Sequence, residues 1–355
     1  MIPPGATIGI VGGGQLGRML AMAAARLGYR SHVFDPHDRP CAADVAACHT
    51  RADFDDLAAL ERFAAAVDVA TYEFENLPVE PLRLLGDKLK PGLKSLAVAQ
   101  DRGTEKQFIE GSGARVAAWH PIASLDDVGD AVARLGLPIV LKTRRYGYDG
   151  KGQAWIRSPG DAEAAWAAIG GEPAIAEAGI AFDAEYSVIL ARAADGTHAC
   201  WDLPRNQHRD GILRRSTVPA GDLVASQVAE ARRAALGIAE ALGHVGVLTV
   251  EFFASADGPV VNEIAPRVHN SGHWTIEGAE TSQFEQHIRA ICGLPLGRTA
   301  LTAPEVVMDN LIGEEVEDWL RLATEPGLHL HLYGKGEARP GRKMGHTTRL
   351  GYRLP

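Results

Sequence analysis

The segment K-T-R-R-Y-G-Y-D-G-K-G-Q, residues 142–153, most restricts what this chain can become. It follows L-P-I-V-L, residues 137–141, an apolar run read as a buried strand that delivers Lys142 as a fixed charge at its end. Gly147, Gly150 and Gly152 accompany two further cations, Arg145 and Lys151. Glycines let successive backbone N–H groups turn toward one point, and such concavities hold anions. A strand lysine beside a glycine-rich flap therefore points to a polyphosphate held from two sides. The segment is not a Walker A loop, because G-x-x-x-x-G-K-[ST] is absent. Taken alone, it also reads as a solvated basic turn.

The N-terminal part follows a β-loop-α-β pattern. A strand over 7–11 runs into Gly12-Gly13-Gly14, then a helix from about 15 to 27 and a strand over 31–34 ending at Asp35. G-x-G-x-x-G is satisfied by Gly12, Gly14 and Gly17, with Asp35 near the spacing of a ribose contact. Alone this suggests a dinucleotide fold, but the same geometry serves any phosphate at a helix N-terminus. A helix over 57–67 and a strand over 69–72 lead to T-Y-E-F-E-N-L-P, where alternation places Glu73 and Glu75 on one face at a strand end. Strand ends of open α/β sheets face the ligand crevice, and carboxylates there accept from sugar hydroxyls. Residues 88–94 read as a linker.

A capped helix over 101–112 carries Arg102 and Lys106, and a second, over 124–135, has Ser124 as N-cap with Asp127 three residues on. A flap strand over 154–156, a helix over 161–169 and a short strand over 174–177 follow. The last runs into Ala178-Gly179-Ile180 and then Glu185. A strand flowing into a linker suits an adenine, whose edge backbone groups read while a glutamate takes the ribose. Further strands are expected over 185–191, 199–203 and 212–218, with Asn206-Gln207-His208 between the last two. His208 reads equally as a loop histidine.

After a helix over 226–242, strands over 246–254 and 259–264 form a hairpin around Asp257-Gly258. Glu251 and Glu263 lie inside these apolar strands. Buried carboxylates need a partner, and hard oxygen ligands from two strands suit Mg²⁺; a core arginine is the alternative. The loop A-P-R-V-H-N-S-G-H-W-T then packs donors beside that pair. Arg267 can hold a small planar anion in bidentate fashion, and His269 can act as acid or base near neutral pH. The remainder ends in a basic cluster, Arg339, Arg342, Lys343 and Arg349.

Composition excludes some classes. The net charge of −9 over 355 residues argues against nucleic-acid binding through a broad basic face. Four cysteines without a C-x-x-C pair argue against a zinc ribbon or redox dithiol and fit a reducing cytosol. No signal-length or membrane-length apolar stretch stands out, so no membrane partner is expected and the expected location is cytoplasmic.

In combination, G-G-G-Q-L-G-R-M, Y-G-Y-D-G-K-G-Q, N-E-I-A-P-R-V-H-N-S-G-H and R-K-M-G-H resemble the N5-carboxyaminoimidazole ribonucleotide synthetase family of the ATP-grasp superfamily, over essentially the whole chain. The resemblance implies an α/β (α+β) ATP-grasp fold. Its expected parts are a Rossmann-like acceptor domain (1–98), an ATP-grasp subdomain with the flap (99–183), a second with the metal and bicarbonate site (184–297), and a small C-terminal domain (298–355). It implies that ATP phosphorylates bicarbonate to carboxyphosphate and that 5-aminoimidazole ribonucleotide is carboxylated on its exocyclic amine, in a homodimer using Mg²⁺ or Mn²⁺.

Carried over by position, Arg102, Lys142, Gly147, Tyr148, Asp149, Gly150, Lys151, Gly152 and Gln153 would meet the ATP phosphates. Glu177, Ala178, Gly179 and Ile180 would hold adenine, Glu185 the ribose, and His208 would lie nearby. Glu251 and Glu263 would bind metal, with Asn262 adjacent. Arg267, His269, Asn270 and Lys151 would carry the carboxyl transfer. Gly14, Gln15, Leu16, Glu73, Glu75, Tyr148, Asp149 and Lys343, with Arg342 or Arg349, would take the acceptor nucleotide. The flap would thus couple ATP enclosure to acceptor binding. Ala265 stands where many ATP-grasp enzymes place an asparagine, and Val268 where R-P-H is expected. A nicotinamide oxidoreductase leaves the glutamate pair and flap unexplained. A formate-using glycinamide ribonucleotide transformylase and a silent nucleotide-binding protein are the remaining alternatives.

Overall fold

Thr7–Val11, at the centre of the N-terminal sheet, is buried along nearly its whole length and pairs in parallel with Arg30–Phe34 on one side and Val69–Tyr72 on the other. Cys48–Thr50 completes a four-stranded parallel sheet. The computed structural model describes residues 1–147 and 150–351. The helix Gln15–Arg26 covers the sheet with Leu16, Met19 and Leu20, while Leu57–Ala66 buries Leu60 and Phe63.

The glycine loop between strand and helix is closed by the chain's own carboxylates. Asp35 Oδ2 accepts from Gly13 N at 2.8 Å, and Glu73 accepts from Gly14 N and, at 2.7 Å, from Gly17 N. Gly12, at φ +102°, has no room for a side chain, since a Cβ there would lie 2.5 Å from Glu73 Cγ. The dinucleotide reading fails here for a physical reason: the acid expected to meet a ribose and the N–H groups expected to meet phosphate already satisfy one another. Glu73 and Glu75 do not share a strand face either, because the strand stops at Tyr72.

Residues 88–94 are tied down rather than a loose linker. Lys88 Nζ donates to Ala64 O and Val67 O, Leu89 bridges to Ala70, and the helix Leu93–Ala99 begins within the stretch.

The second layer is a four-stranded antiparallel sheet, in the order Trp119–Ile122, Ala174–Ala178, Ile139–Thr143, Gln153–Ile156. The helices Leu125–Leu135 and Ala162–Ala168 pack on it through Val128, Ala131 and Ala165. Ser124 and Asp127 form the expected capping box, a device worth about 1 kcal/mol. The strand expected over 137–141 is displaced: Lys142 and Thr143 belong to it, because Lys142 pairs with both Gln153 and Ile175. Lys142 is therefore inside the ladder, not beyond it.

The third element is a nine-stranded antiparallel sheet. Gly258–Ala265, Gly246–Ser255, Ala184–Arg192, Arg205–Arg209 and Ile212–Val218 continue directly into Glu305–Ile312, Lys343–Gly351 and Leu328–Leu332, with His198–Cys200 beside Ala184–Arg192. The segment after residue 298 thus shares a sheet, and a hydrophobic cluster, with what precedes it. Asn206 to His208 lie on a strand rather than in a connector, because Asn206 accepts from Ser216 Oγ and donates to Ser187 Oγ, joining its neighbours on both sides. The strand expected over 199–203 stops at Cys200, where Trp201 turns into the core and its Nε1 donates to Thr281 O.

The helix Gln283–Cys292 lies between the N-terminal layer and the large sheet. Its His287 accepts from Val247 N at 3.0 Å on Nδ1, so Nε2 carries the proton and donates to Thr71 Oγ1 at 2.8 Å. That bond ties the two layers in register. Among the described residues, no helix is long and apolar enough to cross a membrane.

Candidate active site

Two cavities, of about 480 and about 180 Å³, adjoin one cluster. Arg102, Glu263, His269, Asn270 and Lys343 line both. The larger cavity takes Lys142, Gly150, Gln153, Glu177–Ile180, Glu185, His208, Glu251 and Asn262 from the expected nucleotide set. The smaller takes Gln15, Leu16, Glu75, Gly147 and Arg267. These side chains come from the two antiparallel sheets, from the Asp101-capped helix Arg102–Gly111, and from the start of the helix Gln15–Arg26 and the segment after Val69–Tyr72 in the N-terminal layer.

The phosphate end of the larger cavity is a buried charge cluster. Lys142 Nζ lies 3.0 Å from Glu177 Oε2 and Lys106 Nζ 3.3 Å from Glu177 Oε1. Burial alone would raise the Glu177 carboxyl, but Lys142 and Lys106 outweigh it and hold it at about 2. Both lysines also reach Asn262, at its carbonyl and its Oδ1. Lys106 is fully buried, and its role in supporting the cluster was not assigned from sequence, although its helical spacing from Arg102 places both on one face. Glu105, on the same helix, is pushed up to about 8 by burial and by the charge of Glu263, and accepts from Ile264 N.

Glu177 is thus committed to lysines rather than to a base. The N–H groups of Ala178 and Gly179 are likewise committed, to Ala118 O and Pro138 O, both at 2.8 Å. These two donors of the linker expected to read an adenine are therefore spent within the protein, while Ile180 at its end lines the cavity. Trp155, Ile180, Leu213 and the stacked pair Phe182–Phe253, whose rings are 4.6 Å apart, give that end an apolar lining. Sequence reading had not singled out these aromatics. Glu185 is hydrogen-bonded to His208 Nδ1. Burial lowers His208, but Glu185, Glu251 and Glu263 reverse the shift and raise it.

Glu251 and Glu263 are cross-strand partners in the hairpin. Arg102 NH1 donates to Glu263 Oε2 at 2.9 Å. Burial works against the Glu263 charge, yet Arg102, Lys142 and Lys106 keep its acidity above the ordinary carboxyl. Glu251 is pushed up to about 7, by burial and then by Glu263. Two partly buried carboxylates at paired positions of the hairpin, one short of a counter-charge, fit a divalent cation. Ala265 adds no ligand, and among the described residues no three His, Cys, Asp or Glu side chains converge as a metal cage. Such a cation would complete its shell with phosphate and water oxygens.

The loop after the hairpin departs from expectation at two residues. Arg267 makes a fork on Glu75, with Nε at 2.5 Å and NH2 at 3.0 Å, and NH1 donates to Val268 O. The partly buried guanidinium takes Glu75 as its carboxylate, which commits its Nε edge and leaves one N–H on each terminal nitrogen. His269 Nδ1 accepts from Ser271 N, which leaves the proton on Nε2, 3.3 Å from Glu251 Oε1. Burial first, then the Arg267 charge, hold this imidazole well below its usual range, so it is not the near-neutral acid expected. Val268 is fully buried, which anchors the loop without the expected proline.

Other expected residues lie elsewhere. Gly14 and Glu73 line neither cavity, being bonded to each other. Arg349 pairs with Glu325, and Arg342 NH1 donates to Glu337 O; neither lines a cavity, so of the basic cluster only Lys343 reaches the site. Lys151 lies in the exposed turn between Gly150 and Gly152. Gly152, at φ +68°, is needed there, since a Cβ would fall 2.4 Å from Thr143 Oγ1. Tyr148 and Asp149 lie outside the described residues. Gln283 and Asn310, which hold the 267–273 loop, carried no sequence signal.

Comparison with known proteins covers the same ground. The ribonucleotide synthetase preATP-grasp domain matches residues 5–100, the ATP-grasp domain 107–284, and the phosphoribosylaminoimidazole carboxylase C-terminal domain 306–354. The N5-carboxyaminoimidazole ribonucleotide synthase of Brucella melitensis is 50% identical, over 98% of this chain and 97% of its own. A longer protein of Dictyostelium discoideum, called bifunctional purine synthesis protein purC/E, is 45% identical over 98% of this chain, which spans only 37% of it. An ADP complex of an N5-carboxyaminoimidazole ribonucleotide synthetase superposes with a TM-score of 0.94 at 44% identity, covering 100% of this chain and 94% of that one. The Aspergillus clavatus N5-carboxyaminoimidazole synthase, solved with ADP and 5-aminoimidazole ribonucleotide, gives 0.91 at 29% identity, covering 98% and 94%.

Proposed function

The chain belongs to the N5-carboxyaminoimidazole ribonucleotide synthase family of ATP-grasp ligases, and from that premise we propose how its two cavities divide the work. It is an ATP-dependent ligase of purine biosynthesis. In our reading the larger cavity holds ATP, the smaller holds 5-aminoimidazole ribonucleotide, and carboxyl transfer occurs at the five side chains they share. That shared wall is the observation that carries the proposal.

Lys142, Arg102 and the glycine flap neutralise and enclose the phosphates, since phosphoryl transfer depends on positioning and charge. Glu251 and Glu263 would hold Mg²⁺ or Mn²⁺, which supplies further charge neutralisation on the phosphates. Bicarbonate oxygen attacks the γ-phosphorus, the bond to ADP breaks, and carboxyphosphate results. The acceptor's exocyclic amine then attacks the carboxyl carbon, the C–O bond to phosphate breaks, and the departing phosphate takes the amine's proton. Arg267 has five N–H donors and uses three on Glu75 and Val268. The remaining two are our candidates for the carboxyl oxygens. Asn270 and the Nε2–H of His269 border the same point, and Lys343 joins acceptor to carboxyl group. Keeping water out protects carboxyphosphate from hydrolysis.

The four domains, the homodimer and the cytoplasmic location are part of the same reading; the matched family segments support the first and last domain boundaries, and the free cysteines support the location. The deciding experiment measures ADP release from purified protein. Dependence on a divalent cation and bicarbonate, with stimulation by 5-aminoimidazole ribonucleotide, is the expected result. Dependence on formate would favour the transformylase instead, and ATP binding without turnover a silent nucleotide-binding protein.

A further inference from the structure

Asn270 borders both cavities, yet its side chain is oriented by a residue distant in sequence. Asn270 Nδ2 donates to Asn310 Oδ1 at 2.9 Å, and Asn310 Nδ2 donates back to Asn270 Oδ1 at 2.7 Å. Asn310 Nδ2 also donates to Leu213 O at 2.8 Å. Both amides are buried. A carbonyl oxygen can only accept, so Leu213 fixes which end of the Asn310 amide carries nitrogen. The reciprocal pair then fixes the Asn270 amide. One N–H and one acceptor lone pair of Asn270 are left for the cavity wall, in a set order.

We propose that Asn310, on the strand Glu305–Ile312, is a positioning residue for carboxyl transfer that sets the face Asn270 presents to the reacting carboxyl group. It touches no substrate and acts through Asn270. The device explains why the C-terminal segment continues the large sheet: that continuation brings Asn310 beside Leu213 and the 267–273 loop. An asparagine amide that could turn over would offer the carboxyl oxygens a donor or an acceptor indifferently, and an acceptor there repels them. The inference rests on the functional reading that places Asn270 at the reaction centre.

The test compares the full-length wild type with Asn310→Asp, Asn310→Ala and Asn270→Ala, and the double alanine variant. Asn310→Asp keeps the shape but cannot donate to Leu213 O or Asn270 Oδ1. Both Asn310 variants should bind ATP within about twofold of wild type and lose about 10- to 100-fold in kcat for the carbamate. ADP released per acceptor consumed should rise above that of wild type, as misplaced carboxyphosphate is lost to water. In the alanine cycle the double variant should cost no more than Asn270→Ala alone, because Asn310 acts only through Asn270. Folded Asn310 variants with wild-type kcat and wild-type ADP stoichiometry would overturn the proposal. So would additive losses in the cycle, or a loss confined to ATP affinity or thermal midpoint. A wild type that consumes no acceptor would instead sink the functional reading beneath it.

Discussion

The side-chain amide of Gln283 closes on the backbone of His269. Its Oε1 accepts from His269 N at 2.9 Å and its Nε2 donates to His269 O at 2.6 Å. Gln283 is fully buried at the first turn of the helix Gln283–Cys292, and its own N–H donates to Thr275 Oγ1. The helix thus holds the reactive loop by its peptide groups, and Gly272 leaves the room this needs, since a Cβ there would lie 2.5 Å from Gln283 Oε1. Gln283→Glu keeps the shape but turns the donor to His269 O into an acceptor. Carboxylation should fall by about 100-fold, the cost of a displacement near 1 Å, with ATP affinity little changed. Steady-state kinetics beside ATP calorimetry checks this, and an equal loss of ATP affinity would contradict it.

Arg267→Ala should reduce carboxylation by orders of magnitude, about 10³-fold for a lost charged donor at a reacting oxyanion, while ATP binds nearly as before. Arg267→Lys should restore little, because an ammonium cannot reproduce the fork on Glu75. If the lysine variant works normally, the bidentate geometry is irrelevant.

Lys106→Met should destabilise the protein and weaken ATP binding together. It leaves the buried Glu177 with Lys142 alone and the Asn262 carbonyl without its donor. Removing one member of a buried charge cluster costs about 3–5 kcal/mol. Urea unfolding measures the first effect and nucleotide titration the second. Unchanged stability would show that Glu177 is adequately paired without Lys106.

Acid should loosen the joint between the N-terminal layer and the large sheet. Burial lowers His244 to about 4 and His287 to about 3, with His244's charge adding to the second shift. Each ring is neutral when folded but protonates near its ordinary value, about 6.5, when unfolded. Between about 6.5 and those lowered values the unfolded chain therefore binds more protons, and stability falls as pH falls. The slope is roughly 1 kcal/mol per pH unit for each ring. Urea unfolding at pH 7 and pH 5 should show the loss, and His287→Gln should flatten the slope. A wild-type slope that the substitution leaves unaltered would remove His287 as its source.

Chelation of divalent cations should abolish ADP release, and Glu251→Gln should raise the cation concentration needed for half-maximal activity. Glu251 is pushed up to about 7 by burial and by Glu263, which marks a carboxylate lacking its counter-charge. Activity of Glu251→Gln at unchanged cation demand would argue against metal binding there.

Much of this site was legible in one dimension. The hairpin pairing Glu251 with Glu263, the capping box at Ser124, the strand at Val69–Tyr72 and the glycine flap rest on local period, turn chemistry and the cost of burying charge. Misplaced residues share a different origin. Glu73 was assigned to sugar hydroxyls from its place at a strand end and Glu177 to adenine from the resemblance, and each found its partners inside the protein. Arg349 was grouped with Lys343 by proximity in sequence, but on the strand Lys343–Gly351 the five intervening positions carry it well along the sheet to Glu325.

The sequence by itself determined which chemistry the chain could carry, because lysine, glycine and paired glutamates at fixed local spacing restrict the possible ligands whatever surrounds them. Only the tertiary structure decided which of those groups remain open. A buried polar group is satisfied by whatever the fold brings near it. Gln283 reaches His269 and Asn310 reaches Asn270 and Leu213 because separate strands and helices converge there. No spacing within the chain records that convergence.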